Sequence, residues 1–187
     1  MKFFKSVSAF ALTTALMVSL STAALAQSPE ITKESNIQFQ SSSFTKPTKI
    51  SDSEKQQLLL NSVPAVPYEA KATESSVSIQ ANVNISYQFS NLAQDETIDT
   101  INAFTITSTK TVPLTLVQYT GFLGTTDVGY ALIDQYGRFV GQIQRVKGDY
   151  KGTNITIGFP DTPPGTYNIR IINYGSNGLD GNGYTRN

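Results

Sequence analysis

From Val77 to Phe89 the chain alternates without a break: Val77, Ile79, Ala81, Val83, Ile85, Tyr87 and Phe89 are apolar, and every residue between them is Ser, Gln or Asn. Side chains of a β-strand point to opposite faces in turn, so a period of two predicts one buried and one wet face. The run is longer than the usual strand of about 5 to 6 residues, which makes it long, bent or shared between two sheets. Further strand-like runs follow at Ala103–Thr109, Val112–Tyr119, Val128–Gln135, Arg138–Val146, Thr153–Phe159 and Thr166–Tyr174. Their joints carry turn chemistry, at Thr120-Gly121, Gln135-Tyr136-Gly137, Lys147-Gly148-Asp149, Lys151-Gly152 and Asp161-Thr-Pro-Pro-Gly165. The stretch Asn91 to Asp99 reads as a polar loop. Short alternating strands at this spacing predict an all-β fold, an antiparallel β-sandwich of about seven to eight strands over 77–187.

The segment before it reads differently. Residues 27–76 are rich in Ser, Gln, Lys, Glu and Pro with no sustained apolar period, and are expected to form a largely disordered polar arm and linker. One exception is 52–61, where Ser51 or Asp52 can cap a short helix that ends on Leu58–Leu60, a cluster that hints at docking. Val63-Pro-Ala-Val-Pro67 then stops the helix and favours an extended connection. Residues 1–26 read as a signal peptide: Lys2 and Lys5, an apolar core from Ala9 to Leu20, and Ala24-Leu25-Ala26 before Gln27. The expected location is secreted or extracellular, or periplasmic in a Gram-negative source, with no transmembrane segment after cleavage.

The chain has no His, Cys or Trp. Ser-His-Asp and Cys-His catalysis and the usual zinc, haem and blue-copper ligand sets are therefore absent, which leaves carboxylate, Lys or Tyr chemistry. A cysteine-free exported chain must be held by its core alone. From Gln27 on, 12 basic against 14 acidic residues give a net charge of 12 − 14 = −2. This balance argues against nucleic acid, whose binding rests on clustered basic charge.

From Val112 onward the order of pieces resembles the bacterial pre-peptidase C-terminal type of extracellular β-sandwich, and more loosely other bacterial Ig-like modules, over about residues 112–185. The pieces are Leu114-Thr-Leu116, Tyr130-Ala-Leu-Ile-Asp-Gln-Tyr-Gly-Arg-Phe-Val140, Ile155-Thr-Ile-Gly-Phe159 and Pro164-Gly-Thr-Tyr-Asn-Ile-Arg-Ile171. The resemblance implies an extracellular β-sandwich module. It also implies a last strand beyond Gly183-Tyr-Thr185, so either the 77–89 strand fills that place or the sandwich has an open edge.

Candidate sites are few. Asn177-Gly-Leu-Asp-Gly-Asn-Gly183 offers Asn177, Asp180 and Asn182 as a weak calcium loop, with a solvated Gly/Asn turn as the alternative; no other cofactor is expected. Asp95, Glu96 and Asp99 share one stretch, whereas the carboxylate pair of a glycoside hydrolase flanks a cleft. Tyr136, Tyr150, Tyr174 and Tyr184 fall near predicted turns and are candidate stacking faces, or rim residues of the core. The 77–89 run holds no charge, Pro or Gly, so on an edge it is a template for self-association. The preferred expectation is a secreted module without enzyme activity, acting in adhesion, extracellular assembly or accessory binding to a cell-surface or matrix protein or polysaccharide. A carbohydrate-binding or carboxylate-dependent carbohydrate-active protein is the alternative, and a membrane-active oligomer a weaker one.

Overall fold

The computed structural model describes residues 41–68, 83–121 and 124–186. All belong to one compact unit, Ile37–Asn187. The expected leader, residues 27–40 and 69–76 of the expected arm, and residues 77–82 of the alternating run lie outside the described residues. In chain order the elements are β1 (Ser41–Ser42), β2 (Thr48–Lys49), α1 (Asp52–Leu60), β3 (Ser62–Pro64), β4 (Val83–Leu92), β5 (Glu96–Asp99) and β6 (Phe104–Ile106). There follow β7 (Lys110–Thr120), β8 (Asp127–Ile133), β9 (Phe139–Lys147), β10 (Ile155–Thr162), β11 (Gly165–Asn173) and β12 (Leu179–Arg186).

The fold is the expected all-β sandwich of two sheets. One sheet has the order β1-β4-β12-β7-β10, the other β2-β5-β11-β8-β9-β3, with β6 pairing β11 beyond β5. The long strands pair antiparallel, while β1 runs parallel to β4 and β3 parallel to β9. Alternation becomes a core most clearly in β7, where Val112, Leu114, Leu116 and Gln118 are buried and the residues between them are half exposed. Ile85 and Tyr87 of β4 join them from the same sheet, and Tyr130, Leu132, Ile169 and Ile171 meet them from the other. Burying each such side chain contributes about 1.5–3 kcal/mol.

Strand β8 departs from alternation, since Val128 through Ile133 are all buried. A second, smaller cluster covers its outer face: Ala131, Ile143, Ile172 and Tyr174 pack against Ile50 and Leu58. Helix α1 thus forms a partial third layer. Ser51 caps it as expected, its Oγ accepting from the Glu54 N–H at 3.2 Å. Leu58 docks, whereas Leu60 is 85% exposed.

Three expectations are corrected. The polar loop over Asn91–Asp99 contains strand β5, whose Ile98 is buried opposite Ile171 while Asp99 grips Arg170 across the pair at 2.7 Å. Four residues with one apolar side chain between charged and hydroxyl neighbours are too few to display a period. The Gly/Asn stretch ending at Gly183 contains most of β12, a central strand paired with β4 on one side and β7 on the other. Strand β4, the described part of the alternating run, lies alongside β12. Lastly, residues 41–68 do not hang free as an arm: they supply β1, β2, β3 and α1 to the sandwich.

Residues 41–68 touch both outer edges of both sheets, and so form a belt. Strand β1 lies along β4 at Ser86 and Tyr87. Phe44 turns its ring edge onto Tyr87 and Phe89, both at 5.9 Å, and its backbone bridges Thr100. The chain crosses to the other sheet, where Thr48 and Lys49 pair Thr97 and Glu96 of β5. It then runs over the outer face as α1, pinned by a 2.5 Å ion pair between Lys55 and Asp95. Strand β3 pairs β9 at Ile143–Arg145, and the segment crosses back to bridge Ile157 of β10 at Pro67, with the Tyr68 N–H donating to the Thr156 carbonyl at 2.8 Å.

Candidate functional site

Where the belt crosses from β9 to β10, the Pro64–Pro67 segment spans the open side of the sandwich and leaves a cleft on each flank. Two prolines suit this place, because a crossing strand with missing N–H groups cannot recruit a further strand. The first cleft, about 380 Å³, is floored by Val146, Ile155 and Ile157 and rimmed by Tyr150, Arg145 and Lys147. The second, about 370 Å³, is uncharged, with Tyr68, Val66, Thr111, Gln142 and Pro160 among its walls. Both fall in the size range of small-ligand and polymer subsites, apolar walls with a few polar groups.

A buried polar chain sets the first cleft's rim. The Tyr130 hydroxyl donates to Gln118 Oε1 at 3.0 Å, and Gln118 Nε2 donates to Thr126 Oγ1 at 2.8 Å and to the Gly148 carbonyl at 3.0 Å. The Tyr150 N–H in turn donates to the Gln118 carbonyl at 2.7 Å, which fixes the loop between β9 and β10. Arg145 makes a bidentate contact with Asp127 at 2.6 and 2.5 Å, and this hydrogen bonding holds the guanidinium above its ordinary pKa. Its guanidinium also lies 5.6 Å over the ring of Tyr174. Gln118 carries no signal in the sequence: it occupies an inward position of an alternating strand where an apolar residue is expected.

The sequence candidates do not converge on one place. Tyr150 lines the first cleft. Tyr136 sits 73% exposed in the hairpin between β8 and β9, stacked with Arg138 at 5.0 Å. Tyr184 lies on β12 with Arg186 over its ring at 4.7 Å. Tyr174 is a correction: it is buried in the cluster that α1 covers, its hydroxyl near Ser62, and burial pushes its pKa up. Tyr68, which stands in the expected linker, lines the second cleft.

The calcium candidates also separate. Asp180 and Asn182 stand on strand β12, and Asp180 Oδ1 accepts from the Asn91 N–H at 2.8 Å. Asn177 stays in the preceding loop, where its carbonyl accepts from Asn173 Nδ2 at 2.8 Å. Among the described residues no three acidic side chains gather to hold a metal ion. Of the acidic trio, Asp95 pairs Lys55, Asp99 pairs Arg170, and Glu96 Oε2 accepts from the Ala93 N–H at 3.0 Å. Among the described residues neither cleft is lined by a carboxylate.

No family model matches the chain. No curated protein matches it either. Among solved structures it is similar to the Clostridium thermocellum N-terminal endo-1,4-beta-D-xylanase 10B, CBM22-1-GH10 modules, at 10% identity over 54% of this chain and 24% of that one, with a TM-score of 0.34. It is also similar to the infectious bursal disease virus Gt strain structure, at 17% identity over 65% of this chain and 37% of that one, TM-score 0.33. The chain thus spans well under half the length of these structures.

Proposed function

We propose that this is an exported, non-catalytic β-sandwich module that works by binding, in adhesion, extracellular assembly or as an accessory to another protein, and that its ligand lies in the paired clefts beside Pro64–Pro67. One observation carries the reading: among the described residues the two clefts have largely apolar and aromatic walls with a few basic, amide and hydroxyl groups and no carboxylate, while the acidic residues near the loops are engaged in structural contacts. General acid–base hydrolysis of a glycoside needs two carboxyl groups facing each other across the bond. Within this reading, the uncharged second cleft, lined by both Tyr68 and the Gln142 amide, favours a neutral polysaccharide, since rings cover sugar faces and amides bond hydroxyls.

Co-sedimentation of the purified chain with insoluble wall polysaccharides, and with washed cells of its source, tests the proposal. Retention by one polymer, lost in Tyr68→Ala or Tyr150→Ala with folding unchanged, is the expected result. Release of reducing sugar by the chain would overturn the non-catalytic reading, and retention indifferent to both substitutions would overturn the site.

A further inference from the structure

The belt is joined to the sandwich by very short pairings. It meets the ten-residue β4 over two residues, β5 over two, β9 over three and β10 through a single bridge. Its side-chain anchors are small and scattered along it: half-buried Phe44, Leu59 and Ala65, buried Ile50 and Leu58, Thr45 Oγ1 accepting from the Asp99 N–H, Ser62 near the Tyr174 hydroxyl, and the Lys55–Asp95 pair. Two of the exposed large apolar side chains, Leu60 at 85% and Val66 at 72%, also stand on it. Each contact that seats the belt is local and complementary to this chain's own edges, so an identical belt from another molecule finds the same contacts. Exchange of an identical element between copies has little enthalpic cost, and concentration decides the balance.

We propose that the sheet edges under residues 41–68 are a strand-pairing surface whose second occupant is the belt of another copy of this chain. The long alternating strand does not then serve as a bare template. Its outer edge at Ser86 and Tyr87 is a seat, filled within one molecule or between two.

The absence of cysteine gives a direct test, because an introduced thiol is the only one present. Thr48 and Thr97 are register partners of β2 and β5, and Val63 and Gln144 of β3 and β9. Single variants Thr48→Cys and Thr97→Cys, carrying different mass tags, are mixed at rising concentration, warmed briefly below the unfolding transition, and oxidised. The expected result is a mixed disulfide between the two variants several-fold in excess of either like-with-like disulfide, and the same for Val63→Cys mixed with Gln144→Cys. The doubly substituted Thr48→Cys/Thr97→Cys chain, oxidised before the warming step, is expected to stay monomeric. Mixed and like-with-like disulfides in statistical ratio in both pairs, or no interchain disulfide in either, would overturn exchange. The two pairs probe different belt segments, so a fold-breaking substitution in one leaves the other decisive.

Discussion

Gly181 and Gly183 stand in the middle of a central strand because the neighbouring strand fills the space a side chain would take. A Cβ on Gly183 would fall 2.5 Å from the Tyr87 hydroxyl and 2.7 Å from the Thr115 carbonyl; one on Gly181 would meet Phe89 at 2.7 Å and the Val117 carbonyl at 2.8 Å. Aromatic rings of β4 lie over both glycines, a known way for a sheet to tolerate them. Gly183→Ala is therefore expected to destabilise the chain by about 1–3 kcal/mol, read as a lower urea midpoint. Tyr87, with the equally buried Tyr130 of β8, predicts the alkaline behaviour. Burial raises the phenols of Tyr87 and Tyr130 far above the ordinary 10.0, so both stay protonated while the chain is folded. A folded-state pKa above the unfolded value means that stability is intact below about pH 10 and falls as pH rises beyond it. Phenolate absorbance should rise first for exposed tyrosines, and for these two only together with cooperative loss of the β-sheet signal. Residue by residue, alternation exposed most of the core, Ile85, Tyr87, Leu114 and Ile169 among it. It hid β12, because Leu-Asp-Gly-Asn-Gly has turn composition unless the partner strand's rings are known.

At the scale of elements, the strands that pack through their own side chains were legible and those held by their neighbours were not. Strands β7 through β11 fall within a few residues of the runs expected from their alternation. Helix α1 was legible too, since a cap and its end residues are local signals. The belt's strands are two or three residues long and have no period to read; they exist because the edges of β4, β5 and β9 offer main-chain partners. Truncation at either anchor should show this dependence. Phe44→Ala removes one ring from the cluster with Tyr87 and Phe89 and is expected to cost about 1–3 kcal/mol, less than a fully buried Phe. Leu58→Asp places a charge against Ala131 and Ile172 and is expected to unseat α1. Hydrogen exchange should then quicken at Ile143 and Thr97, the amides beneath the belt, before it quickens in β7 or β12.

For the whole molecule, the clefts flank the segment where the belt crosses the open side, so the proposed binding and belt seating share a structural element. Of the residues lining the proposed site, Tyr150 is the one that also stands among the tyrosine candidates of the sequence. Tyr68 and Gln142 were not, since what gathers them is the passage of Pro64–Pro67 between strands distant in sequence. Their loss on Tyr68→Ala is the binding prediction above; here it acquires a control, for Leu58→Asp should weaken retention as well, through displacement of the same crossing segment. The belt also orders events in time. Its residues precede in synthesis every strand they seal, and the bridge from Pro67 to Ile157 joins points far apart along the chain. Contacts between such distant points form late, after the loop-closure entropy between them has been overcome. A newly emerging polypeptide therefore spends its youth with its seal made and its seams unmade, and stays unlocked until the tenth strand has arrived.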